Sequence, residues 1–122
     1  MHRLLPLSAG VILAAACYTT GVPLPRSAMD CVTRAANDQG YLPAYTGERP
    51  NTLLLRKRSG DDADDLFATV TMDSTGVSHV AVTPSSLHFA DVTDPTDHPL
   101  PTSPDARRAA AYVKERCDGV RS

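Results

Sequence analysis

Apolar residues fall along this chain in three rhythms, and each rhythm predicts a different kind of element. From Leu4 to Ala16 they run together without a charge; residues 27–40 and 103–119 space them by three and four; residues 51–89 alternate them with polar ones. In "SAMDCVTRAANDQG", at about 100° per residue, Cys31, Ala35, Ala28, Val32, Ala36 and Met29 share one arc. Asp30, Arg34 and Asn37 lie opposite, so the stretch reads as an amphipathic helix. Ser27 suits its N-cap, Asp30 the positive end of its dipole, and Gly40 a left-handed C-cap. "SPDARRAAAYVKERCDG" predicts a second helix, capped by Ser103, with Pro104 at its first position, Asp105 next and Gly119 ending it. Ala106, Ala110, Val113 and Cys117 form its apolar stripe, while Arg108 and Glu115 face away.

Between the helices the period changes from 3.6 to 2. "NTLLLRKR" reads as a strand and "SGDDADD" as a polar turn. In "LFATVTM", Leu66, Ala68, Val70 and Met72 share one face, with Phe67, Thr69 and Thr71 on the other. "DSTG" signals a turn, and "VSHVAVT" a third strand with Val80 and Val82 inward, which Pro84 ends. "SLHFADV" is a short fourth strand at the sheet edge, and "DPTDHPLPTSP" a loop into the last helix. Residues 27–119 are thus expected to form a single small α+β domain. Its order is an N-terminal helix, an antiparallel meander of three to four strands and a C-terminal helix, with both helices on one sheet face.

The leading segment is of another kind. Arg3 carries a positive charge before 13 uncharged residues, too few to cross a bilayer, which takes roughly 20. That length and those flanks fit a signal peptide over residues 1–16. Ala14, Ala15 and Ala16 then meet Cys17, and "LAAAC" resembles the lipobox of bacterial lipoproteins, with Ala14 where Leu is usual. The resemblance covers residues 1–17 alone. It implies cleavage before Cys17, a lipid on its thiol, and anchorage to a membrane. Tyr18, in place of the Asp that retains such proteins at the inner membrane, implies the outer membrane, with the domain facing the periplasm or the surface. Residues 17–26, uncharged up to Arg26 and containing Pro23 and Pro25, suit a tether. The same three alanines also satisfy the rule for ordinary secretory cleavage, so a soluble secreted module beginning at Cys17 is the alternative.

Cysteine number bears on this choice. The chain has three, Cys17, Cys31 and Cys117, and an odd thiol is a liability in an oxidising compartment. With Cys17 lipidated, Cys31 and Cys117 can pair, each lying on or beside an apolar helix face. Neither has the neighbour at CxxC or CxxxH spacing that zinc would want. Composition adds that the core has little bulk: no Trp, two Phe and four Tyr. A domain so small and light gains much from a covalent staple. Cleavage after residue 16 removes only Arg3 among the charges, leaving a net charge of about −3 and no electrostatic footprint for nucleic acid.

Candidate chemistry is sparse. Asp61, Asp62, Asp64 and Asp65 could hold a cation, but they lack the EF-hand order and read as a solvated hairpin tip beside Arg56, Lys57 and Arg58. Those three cations could in turn touch anionic headgroups near the anchor. His79, His88, Asp91 and His98, with Asp94 and Asp97, are the candidates for a metal-dependent hydrolase. They show no H-E-x-x-H spacing, and loops are ordinarily rich in Asp, Thr and Pro, so no metal and no cofactor are expected. No G-x-S-x-G or S-x-x-K supports a serine nucleophile. The expectation is a small envelope protein that acts by binding or assembly, its partners the membrane and other envelope proteins.

Overall fold

The computed structural model describes residues 26–45, 50–89 and 98–121. Helix α1 spans Arg26–Asp38, followed by strands β1 (Leu42–Tyr45), β2 (Thr52–Ser59), β3 (Asp62–Met72), β4 (Ser78–His88) and β5 (His98–Leu100), and helix α2 (Pro104–Cys117). The five strands form one antiparallel sheet in chain order.

Alternation decides which sheet face is covered. Leu53 and Leu55 of β2, Leu66, Ala68 and Val70 of β3, and Val80 of β4 are buried, and the register sets them side by side on one face. Against that face α1 lays Ala28, Val32, Ala35 and Ala36, and α2 lays Ala109, Ala110, Val113 and Cys117. The helices run antiparallel. Cys31 near the start of α1 is bonded to Cys117 at the end of α2, while Tyr112 donates to Asp38 at the end of α1, 3.3 Å away. The alanines permit close approach but bury little area each, so the core has few large members: Tyr41, Leu55 and Leu66 are the bulkiest of its fully buried side chains.

The α+β class and the disulfide between the helices agree with expectation; the strand count does not. There are five strands where three to four were expected. The predicted third and fourth strands are one, because β4 continues through Pro84 to His88. Pro84 pairs with Leu66 of β3, whereas β5 reaches only Ser86, Leu87 and His88, so no ladder donor is needed at Pro84 on the open side. The short strands β1 and β5 lie in stretches too brief and too rich in proline to show alternation. The expected polar turn shrinks to Gly60 and Asp61: Ser59 faces Asp62, and Gly60 has φ +63°. Asp62, Ala63, Asp64 and Asp65 belong to β3.

At the helix ends the outcome is divided. Ser103 caps α2 as expected, its Oγ accepting from the Ala106 N–H at 3.0 Å. Ser27, expected as a cap, instead lies inside α1, which already includes Arg26, and Asp30 falls beyond the first turn.

The open edge of β4 is closed by the chain's own end. Ser78 donates to the Val120 carbonyl and accepts from the Gly119 N–H, at 2.9 and 2.8 Å. The Val80 N–H donates to Asp118 at 2.9 Å, and Lys114 Nζ donates to the Val80 carbonyl at 3.3 Å.

Candidate functional site

Strand register brings polar residues together at the end of the sheet nearest the start of α2. A cleft of about 250 Å³ opens there, lined by Lys57, Asp62, Asp64, Ser86, Leu100 and Ser103, among others. Asp64 is its centre. One carboxylate oxygen accepts from Ser86 Oγ at 2.5 Å and the other from Ser103 Oγ at 2.8 Å, while Ser86 Oγ accepts from the Ser103 N–H at 3.0 Å. Every hydroxyl in this set is committed. A carboxylate is well placed here, since the first turn of a helix leaves N–H groups and the positive end of its dipole without internal partners.

Beside it, Tyr41 is buried and donates to Asp105 at 2.9 Å; Lys57 donates to the same carboxylate at 3.2 Å and lies 5.6 Å from the centre of the Tyr41 ring. Burial, then the hydrogen bond to Asp105, then the charges of Asp105 and Asp64 push the Tyr41 phenol far above its ordinary range. The Tyr41 hydroxyl and then the Lys57 ammonium hold Asp105 below the usual carboxylate value against partial burial. The phenol stays neutral and the carboxylate charged. That division fits a polar clamp on the helix start.

The sequence candidates are divided between the two ends of the sheet. His88 and His98 face each other across β4 and β5, and His88 Nδ1 lies 2.6 Å from Asp62, its neighbour on β3. His79 is at the other end of β4. Its Nε2 lies 2.8 Å from Asp73, and its Nδ1 3.9 Å from Asp118. Asp73 also accepts from the Thr75 hydroxyl, the Thr75 N–H and the Val77 N–H; the Thr75 hydroxyl and then His79 hold it well below the ordinary carboxylate range. Asp91, Asp94, Asp97 and Cys17 lie outside the described residues. Among the described residues, no group of three or more His, Cys, Asp or Glu is arranged to hold a metal ion.

The acidic run is not the solvated tip that its composition suggested. Asp62 meets His88, Asp64 takes the two serines, and Asp65, nearly buried, is gripped by both nitrogen arms of Arg56 at 2.7 and 2.9 Å. The basic run divides similarly. Arg56 turns to Asp65 on the sheet face away from the helices, Lys57 to Asp105 on the helix face, and Arg58 stacks over Phe89 at 4.3 Å. Tyr41 and Ser86 were missed, and Lys57 and Ser103 were read only as part of a basic run and as a helix cap, because none carries a spacing motif; only the pairing of strands assembles them.

No family model, curated protein or solved structure matches this chain.

Proposed function

We propose that this protein is a lipid-anchored component of a bacterial cell envelope, attached through Cys17 and acting by binding or assembly. The observation that carries the reading is the Cys31–Cys117 disulfide. It accounts for two of the three cysteines in the chain, and the third follows the three alanines of a lipobox-like stretch. A bond between residues 86 apart belongs to an oxidising compartment, which suits export. The outer membrane is the proposed destination, because Tyr18 follows the cysteine.

Intact-mass measurement of the protein isolated from membranes of the cells that make it tests this. The expected result is a chain beginning at Cys17 with the added mass of acyl groups, which partitions with detergent. A chain beginning at Cys17 with an unmodified thiol would overturn the anchor and leave the soluble secreted module. Metal bound in stoichiometric amount by the purified protein would instead advance the alternative, a metal-dependent hydrolase, over the binding role.

A further inference from the structure

The disulfide is asymmetric in what surrounds its two sulfurs. Cys117 is fully buried, whereas Cys31 is partly exposed and lines an open groove of about 540 Å³ along α1 and the end of α2. Arg34 and Arg116 line the same groove. Among the described residues neither guanidinium makes an ion pair: Arg116 stacks over the Tyr112 ring at 4.4 Å from its centre, and the Tyr112 hydroxyl donates to Asp38, which also lines the groove. Asp38 is two helical turns from Cys31, while Arg34 is one turn away. The approach to the exposed sulfur is therefore flanked by two guanidinium groups that make no ion pair among the described residues, although Asp30 and Asp38 lie one helical turn to either side of Arg34.

Thiol–disulfide exchange begins when a thiolate attacks one sulfur and expels the other, so access and local charge decide which sulfur is attacked and by what. We propose that Cys31 is a modification site at which an external anionic thiol forms a mixed disulfide, guided by Arg34 and Arg116. The incoming thiolate's electron pair forms the bond to Cys31 Sγ. The Sγ–Sγ pair departs with Cys117, which then takes a proton from water. A second anionic thiolate attacks the outer sulfur of the mixed disulfide and releases Cys31. In sum, the protein disulfide is reduced to two thiols and two small thiols are oxidised to their own disulfide. Packing of α2 on α1 keeps the buried Cys117 beside Cys31, so it can attack Cys31 in turn and expel the added thiol, and acid quenching captures the adduct before it does. The proposal does not depend on the fate of Cys17.

The test uses the full chain with Cys17 blocked by alkylation. It is treated with 2-mercaptoethanesulfonate (anionic), 2-mercaptoethanol (neutral) or cysteamine (cationic) at equal thiolate concentration, quenched in acid, and mapped by peptide mass. The adduct is expected on Cys31. The anionic thiol should react about five-fold faster than the neutral one at low salt, with the cationic one slowest. That preference should fall towards one at high salt and in an Arg34→Gln/Arg116→Gln variant with unchanged circular dichroism. Adducts on Cys117, equal rates for the three thiols, or a preference that survives salt would overturn the proposal. Should the double variant not fold, the salt series decides.

Discussion

The two ends of α2 are held by opposite means. At its C-terminal end a single covalent bond ties Cys117 to α1 beside a buried apolar cluster. At its N-terminal end no covalent tie exists; Asp64, Ser86, Ser103, Tyr41, Lys57 and Asp105 form a net of hydrogen bonds reaching from the helix to three strands. Between the ends the helix offers the core mostly alanine and one valine. A helix that buries so little per residue cannot rely on area alone, and each end supplies what the middle lacks. The covalent end acts mainly by restricting the unfolded chain. The polar end acts only in the folded state and fails if one member is lost.

Replacing both Cys31 and Cys117 by alanine gives the largest expected effect. For a separation of 86 residues the chain-entropy relation predicts a loss of about 4–5 kcal/mol, read as a lower urea midpoint with a steeper slope, because the unfolded chain without the cross-link exposes more surface. A loss under about 1 kcal/mol would mean that packing alone holds this end.

Asp64→Ala tests the other end. It strips two serine hydroxyls of their acceptor, so about 2–3 kcal/mol should go. Amide exchange should rise first in the opening turn of α2, near Ala106, and least around Cys117. Uniform exchange along the helix would show that the two ends are not independent.

Tyr41→Phe has the smallest effect, about 1 kcal/mol near neutral pH, and the clearest pH signature. The folded chain keeps the phenol protonated above its ordinary value of 10.0, where the unfolded chain releases the proton. The raised value therefore favours folding fully below pH 10, and that contribution is lost as pH climbs above it. Thermal midpoints of the two proteins should converge over that range; a constant difference would contradict the buried, proton-retaining phenol.

Legibility in the sequence followed the same division. The disulfide end could be read, because helical spacing places cysteines on faces and two apolar faces must meet. Ala28, Val32, Ala35 and Ala36 were assigned to the buried arc, as were Leu66, Ala68 and Val70 to one strand face, and the structure buries all seven. Of the polar end only the Ser103 cap, with Pro104 and Asp105 behind it, could be read. Asp64 looks like a turn residue in "SGDDADD" until Lys57 and Ser86 are seen opposite it on the neighbouring strands. Composition marked those aspartates as solvated, and cross-strand partners overrode that preference. Pro84 misled for a related reason: a proline ends a strand only where its N–H would have been used.

That proline has a wider consequence. On β4's outer margin it sits between a stretch sealed by Gly119 and Val120 and another sealed by β5. A neighbouring copy seeking to zip on there finds a missing donor flanked by occupied positions. This border of the sheet is thus a poor template for edge-to-edge pairing between copies.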